Sequence, residues 1–529
     1  MKKNLINLVI TMIIGLAMYY FYLPAFNINN IGFWFYIITL MFAYIILTYS
    51  TNIDFLTGRI KEKSKVGGVL VRVLPLIFLG VILVNFILSP MFNASSYAKR
   101  IKIDESKKFT EDIKQVDFKT LPLLDKDSSR KLGDRVMGGM PELVSQFAVS
   151  DLYTQISYNK EISRVTPLEY ADFFKWLSNK KDGVMGYITV SSVTGKAELE
   201  KLKKGMKYMP SAYFSKDLNR HLRLKYMFTN FGEKTFELDD SGKPYWVIPT
   251  IEYKGIGLKR DASGVITVDP VTGDTKRYEK GKVPSWIDHV YAADMIIEQV
   301  DNWGMYKGGF INSIFGQKNV TMTTRGYNYL VIDEDVYLYT GITSVAADEA
   351  NLGFILANLR TKETKFYKVP GAEEYSAMGS AEGQVQQMKY NASFPLLINL
   401  NDKATYLISL KDNAGLVKMY AFVDVEDYQK VVVSDASKGI EQAALNYLNG
   451  EGLDVDNKDL KTENITVSSI NNVTIDGNTY YFVKDTNNLK YRISIKVDKN
   501  YLPFLKIGDT IKIAYKVKSD ITEVIKINE

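Results

Sequence analysis

Cysteine is absent from all 529 residues, which removes disulfides, thiolate zinc sites and cysteine nucleophiles together. Histidine is nearly absent too, with only His221 and His289 in the chain. Neither belongs to a His-Glu-x-x-His metal motif, and no Gly-x-Ser-x-Gly offers a serine nucleophile. A one-signed excess of charge is also lacking. The 66 basic residues stand against 60 acidic ones, and the net +6 is spread thinly rather than gathered into the basic face of a nucleic-acid binder. Nucleic acid is therefore not expected as a partner, no residue set calls for a cofactor, and stability has to come from packing.

What is present is apolar and aromatic. Tyrosine (35) and phenylalanine (26) are plentiful, and both favour strands and carry large buried area. Three long apolar runs open the chain, at about 5–26, 31–49 and 66–88, each long enough to cross a bilayer core of about 30 Å as a helix. The first ends in Tyr19-Tyr20-Phe21-Tyr22-Leu23-Pro24, an interfacial aromatic belt rather than the small residues of a cleavage site. Arg72 lies near the start of the third run, where a long side chain can snorkel to the headgroups. Lys2 and Lys3 precede the first run, and Arg59, Lys61, Lys63 and Lys65 separate the second from the third. The positive-inside rule then predicts a plasma-membrane protein with a cytoplasmic N-terminus and residues 93–529 extracytoplasmic.

Residues 93–143 read as a charged stalk. Beyond it a pattern recurs: an alternating apolar strand begun by glycine, then a turn, then a polar-faced strand. It appears from Gly186, Gly264 and Gly353, each followed eight residues later by threonine (Thr194, Thr272, Thr361), with a weaker fourth copy over about 396–433. Thr166-Pro167-Leu168-Glu169 has the composition of a capped helix start, predicting a helix on to Asn179. Further helices are expected over 210–226, from Pro284 to Val300, over 373–388 and over 435–448. The units predicted are 144–232, 233–325 and, holding a third and a fourth, 326–450, each unit a few antiparallel strands followed by one helix, an α+β arrangement.

The turn Asp269-Pro270-Val271-Thr272-Gly273-Asp274 leading into Lys276-Arg277-Tyr278 resembles PepSY-type domains, with Lys362 standing where that pattern has glycine. The resemblance implies small α+β modules of the kind found in protease propeptides and in exported or membrane-anchored bacterial proteins. Over most of residues 1–450, through stretches such as Pro244-Tyr245-Trp246, Phe315-Gly316-Gln317-Lys318 and Glu374-Tyr375-Ser376-Ala377-Met378, the chain is also similar to a group of large membrane-anchored proteins of low-GC Gram-positive bacteria. That similarity implies a location and not a chemistry.

A polar linker (451–463) containing Asp454, Asp456 and Asp459 lacks the glycine and glutamate of a calcium loop. Residues 464–529 then read as five short strands, with Asp476-Gly477 as a hairpin turn, a small β-barrel of OB or SH3-like type. Tyr480, Phe482, Lys490, Tyr491 and Arg492 form its candidate ligand face, and alternation puts Tyr481 on the face opposite Tyr480 and Phe482. The two histidines read as packing residues, while Asp333, Glu334, Asp335, Asp239 and Asp240 read as turns. The sequence therefore predicts three transmembrane helices, an α+β extracytoplasmic region of repeated small antiparallel sheet-plus-helix units and a C-terminal barrel. Its partners would be the lipid bilayer and either a further copy of itself or an envelope protein or peptide. Protease modulation is what the PepSY resemblance adds. The alternatives are an envelope enzyme using carboxylates and an accessory subunit of a transporter.

Overall fold

The computed structural model describes residues 2–50, 65–159, 161–345, 347–451, 461–475, 478–515 and 521–528. Arg59, Lys61 and Lys63, Asp454, Asp456 and Asp459, and the Asp476-Gly477 turn lie outside the described residues. Two compact units result, one of residues 1–107 and 119–368, the other of 108–118 and 369–529.

The first unit begins with helices α1 (Lys2–Tyr22), α2 (Ile31–Ser50) and α3 (Lys65–Ile87). Their apolar spans of 19, 20 and 23 residues correspond to roughly 28 to 35 Å of helix, enough for a bilayer core. Helix α1 meets α2 closely at Gly15, whose carbonyl accepts the Tyr36 hydroxyl at 3.1 Å, and a small residue there lets the backbones approach.

The turn between α1 and α2 is tied to the domain that follows α3. Arg223 is the centre of this collar. Its Nε donates to the Leu23 carbonyl at 3.0 Å and its Nη1 to Thr229 at 2.7 Å, while its guanidinium stacks on Phe231. Asn27 donates to the Phe228 carbonyl, Asn29 to that of Tyr253 and Asn30 to the Asn230 side chain. At the end of α3, Asn85 both donates to the Ile256 carbonyl and accepts its N–H. Residues 23–30 and the sheets of this unit therefore lie on the same side of the three helices.

Four sheets share one plan, with a helix before each: α5 (Lys126–Gly138), α6 (Leu218–Lys225), α7 (Ala293–Tyr306) and α8 (Glu374–Gln384). A broken first strand follows (Phe147–Val149 with Thr154–Tyr158, Asn230–Phe231 with Thr235–Leu238, Thr321–Thr323 with Asn328–Ile332, Asn391–Ala392 with Leu396–Leu400). A long strand pairs with both pieces, and a hairpin completes the antiparallel sheet. At each break the same hydrogen bond forms: Ser150 to Pro167, Gly232 to Pro249, Thr324 to Gly341 and Ser393 to Ser409, N–H to carbonyl. The hairpin tips also agree. Ser191, Asp269, Asn358 and Asp424 each accept turn N–H groups through a side-chain oxygen, as turn-forming polar residues do. The carbonyl of the next residue then accepts the chain just ahead of that unit's helix: Ser192 from Leu124, Pro270 from Lys207 and Tyr208, Leu359 from Val290 and Tyr291, Val425 from Ala372.

Several expectations are corrected by this plan. Residues Glu161–Tyr170 form a strand, and the helix after it is only Phe173–Asn179, capped by Asp172. Thr166 gives its hydroxyl to the Ser150 carbonyl instead of capping a helix, and Pro167 sits at the break of the facing strand, where an N–H is not needed. The chain from Pro284 to Ala292 turns at Pro284–Ile287 and then runs without helix, the Asp288 N–H serving Glu237 and those of Val290 and Tyr291 the Leu359 carbonyl, so α7 starts only at Ala293. Over 210–226 the helix is confined to α6, behind the Asp217 cap. Helices α5, α7 and α8 pack on the sheets that follow them; the repeat is helix then sheet.

The second sheet buries both faces. Phe236, Trp246, Ile248, Ile266 and Val268 share a core with Ile156, Val165 and Ile188 of the first sheet and with Leu218 and Leu222 of α6. Val247, Ile251 and Val265 share another with Met295, Ile296 and Val300 of α7 and with Leu338 and Ile355 of the third sheet. Alternation along each strand feeds the two cores in turn, as in repeat arrays whose units contact their neighbours. The predicted stalk is distributed: α4 (Pro90–Ala98) packs on α7, and Ile103–Asp104 adds in parallel to the edge strand Thr364–Tyr367. Helix α5 belongs to the first sheet.

In the second unit, Gln115 bridges in parallel to Asn399 of the fourth sheet, and α9 (Ile440–Glu451) packs on the edge strand Val431–Asp435. The C-terminal domain is a six-stranded half-barrel sheet, not the expected five-stranded barrel. The 15-residue strand Lys461–Ile475 spans both halves, pairing Thr510–Tyr515 with its first part and Asn478–Asp485 with its second.

Candidate functional site

The predicted ligand face of the C-terminal sheet divides by strand alternation. Tyr480, Phe482 and Arg492 share one face: Phe482 lies across from Arg492, whose guanidinium is 5.4 Å from the Tyr480 ring and which pairs with Glu523. Tyr481 and Tyr491 are in the core, with the Tyr491 hydroxyl donating to Glu463 at 2.6 Å. Tyr491 therefore leaves the predicted face, and Lys490 lies exposed at its rim. Arg72 is exposed in the second turn of α3.

The residues that come together most closely were not grouped by any sequence signal. They lie where the first three sheets meet. Glu237, fully buried, accepts the Asp288 N–H at 2.8 Å and the Thr235 hydroxyl at 2.5 Å. Asp288, also buried, accepts the Ser157 N–H at 2.9 Å. His289 puts Nε2 2.8 Å from the Gln155 carbonyl and its ring edge against Tyr329. Arg164, paired across the strands with Gln155, is 5% exposed, and its Nε has no hydrogen-bond partner. Close by, Arg360 grips Asp335 with two 2.6 Å contacts, and Asn358 donates to the same carboxylate.

The electrostatics follow from burial. Asp288 is raised well above the ordinary carboxylate range, first by burial and next by the neighbouring Glu237 charge. Burial raises Glu237 as well, opposed by His289. Burial lowers the Arg164 guanidinium, opposed by Asp125 and the Tyr329 phenol. Two carboxylates so placed favour holding a proton. Each carboxylate accepts a backbone N–H from a neighbouring repeat, so the cluster ties the sheets together as a polar clamp. The other histidine plays a similar part, His221 placing Nε2 2.8 Å from the Gly273 carbonyl and its ring on Tyr208. Asp333 and Glu334 form the two-residue turn of a hairpin, both at positive φ. No group of three or more histidine and acidic side chains fit for a metal occurs among the described residues.

No family model matches the chain, and no curated protein does. Among solved structures, an apocarotenoid oxygenase of Synechocystis is similar at 8% identity and a TM-score of 0.12, covering 55% of this chain and 47% of its own. A trans-sialidase-active mutant of the Trypanosoma rangeli sialidase is similar at 8% identity and a TM-score of 0.16, covering 72% and 53%. The chain thus spans about half the length of the structures it matches, and likeness at that level assigns neither fold nor chemistry.

Proposed function

We propose that this chain is a membrane-anchored, extracytoplasmic, non-catalytic protein of the cell envelope that works by adding strands at its sheet edges, to a second copy of itself or to an extended peptide. The observation that carries this reading is that the chain already does so internally: Ile103–Asp104 extends the third sheet at Thr364–Lys365. Main-chain hydrogen bonds give such contacts their affinity.

The outer strands differ in how open they are to this. Ala197–Met206 carries Glu198, Glu200, Lys201, Lys203 and Lys204, all exposed, and Thr275–Glu279 carries Lys276, Arg277 and Glu279; charges of this kind discourage strand addition. Val431–Asp435 instead presents Val431, Val432 and Val433, each half-buried and uncharged. That edge is the proposed contact. Holding a peptide there would also suit the protease-modulating role that the PepSY resemblance implies.

Blue-native sizing of the full chain in mild detergent tests it. The wild type runs as an oligomer and Val433→Lys shifts it towards the monomer; a strictly monomeric wild type, or an oligomer indifferent to the lysine, sinks the reading. The topology has its own check: protease added to intact cells digests residues 93–529, and protection until lysis refutes the extracytoplasmic placement.

A further inference from the structure

The most exposed aromatic side chains of the first unit outside its helical hairpin are not scattered. Phe174 is 73% exposed and Phe315 81%, far more than an isolated surface phenylalanine needs, and each belongs to a cluster. The first cluster is Phe174, Phe214, Leu224 and Phe228, all exposed. Arg220 fixes its height: the guanidinium lies 4.1 Å from the Tyr20 ring, in the last turn of α1, and donates to the Phe214 carbonyl at 2.6 Å. Phe228 follows Met227, whose carbonyl accepts the Phe26 N–H, and Leu224 follows the Arg223 that holds Leu23. Phe173 links Phe174 to Phe214 by ring contacts of 5.6 and 6.4 Å.

The second cluster is Ile311, Ile314 and Phe315, the first just ahead of the short π-helical turn Asn312–Gly316 beyond α7 and the other two on it. Its height is fixed at α3. The Tyr306 ring at the end of α7 meets Tyr97 at 6.0 Å, and the Tyr97 hydroxyl donates to the Leu88 carbonyl just past α3. Exposed lysines border both clusters, Lys180, Lys181 and Lys225 beside the first and Lys307 and Lys318 beside the second.

We infer that these two clusters are feet that seat the domain on the bilayer, entering its interfacial layer beside the ends of α1 and α3 on the side of residues 23–30. Aromatic and aliphatic side chains flanked by lysine suit that layer, with the rings at the headgroup boundary and the ammonium groups at lipid phosphates. The occupant is lipid because both patches are continuous with helix ends whose own side chains face the bilayer. Seated this way, the domain would have three helices and two feet fixing its orientation to the membrane plane, where the helices alone would leave it to the collar.

The inference rests on the membrane-anchored reading, and the test separates the two. The chain has no native cysteine, so Phe174→Cys, Phe228→Cys and Phe315→Cys each give a unique site for a nitroxide spin label in the full-length protein. In nanodiscs of phosphatidylcholine and phosphatidylglycerol, the ratio of oxygen to nickel-chelate accessibility at these sites should be several-fold above that of Lys282→Cys, an exposed site in a turn of the second sheet. Leu79→Cys, on the exposed face of α3, should give the highest ratio of the set. Feet as water-accessible as Lys282→Cys, with Leu79→Cys deep, overturn this inference alone. A water-accessible Leu79→Cys overturns the anchor as well. Low accessibility to both reagents, with dipolar broadening between labels, would assign the feet to a second copy of the chain and overturn lipid as the occupant.

Discussion

The hairpin tips of the second and third sheets close with the same backbone hydrogen bonds yet carry different residues at the left-handed position, Gly273 in one and Lys362 in the other, at φ +81° and +68°. The difference lies in what each tip meets. A Cβ on Gly273 would come within 2.4 Å of the Tyr208 ring, which Lys216 and His221 hold in place. Lys362 faces room and opposite charge: its Nζ reaches Asp261 at 2.8 and 3.0 Å and the Arg100 carbonyl at 3.0 Å. The repeat thus conserves a backbone geometry, and glycine is required only where a neighbour crowds the turn. A lysine in left-handed conformation costs about 1 kcal/mol, which its ion pair offsets.

The largest effect is expected at the glycine that begins each hairpin. A Cβ on Gly264 would lie 2.1 Å from the Tyr278 carbonyl oxygen, and one on Gly353 would lie 2.1 Å from that of Tyr367. A backbone atom in a sheet cannot turn aside, so Gly264→Ala and Gly353→Ala should each cost more than about 3 kcal/mol, read as thermal melting in detergent. The fourth copy has Met419 at the equivalent place, and Met419→Ala should cost less than either. Gly273→Ala comes next, at about 2 kcal/mol; pairing it with Tyr208→Ala should recover part of that loss if the ring is the obstacle, and no recovery would point to backbone strain alone.

The clamp between the three sheets gives an effect that depends on pH. Asp288 is raised above its ordinary value of 3.8, so the folded state keeps a proton that the unfolded chain releases. Its contribution is fully present below that value and is lost as pH rises through the folded-state pKa. The wild type should therefore melt lower as pH climbs above 3.8 and through the raised folded-state pKa, and Asp288→Asn, which imitates the neutral acid, should flatten that slope. A wild-type slope of opposite sign would mean that His289 or Arg164 holds the pair ionised.

The hairpins were legible because their information is local. Gly264 and Asp269 answer to atoms within fifteen residues, and such residues leave a readable pattern, whereas the crowding that makes Gly273 a glycine comes from the distant Tyr208. The broken first strands were not, since pieces such as Phe147–Val149 are too short to show a period. Thr166-Pro167 misled because the same residue types serve a helix start and a strand break, and only the facing chain decides. The clamp and the collar were out of reach for a further reason: Gln155, Glu237 and Asp288, or Asn30 and Asn230, are joined by tertiary contact and share no spacing. On the C-terminal sheet, alternation correctly opposed Tyr481 to Tyr480, but the register that sends Tyr491 inward depends on pairing with Asn478–Asp485.

The smallest expected effects fall on Lys362 itself, and they separate the two terms of the comparison. Lys362→Met keeps the left-handed strain and deletes the charge, leaving Asp261, itself 24% exposed, with Lys280 at 3.6 Å as its remaining ion-pair partner, so a loss of about 1 to 2 kcal/mol follows. Lys362→Gly deletes the same charge and also relieves the strain, by about 1 kcal/mol. It should therefore be the milder substitution, close to neutral in melting, although it removes more atoms. If Lys362→Gly proved as damaging as Lys362→Met, backbone strain would have no part in the choice of residue at the tip, and the difference from Gly273 would reduce to the ion pair with Asp261.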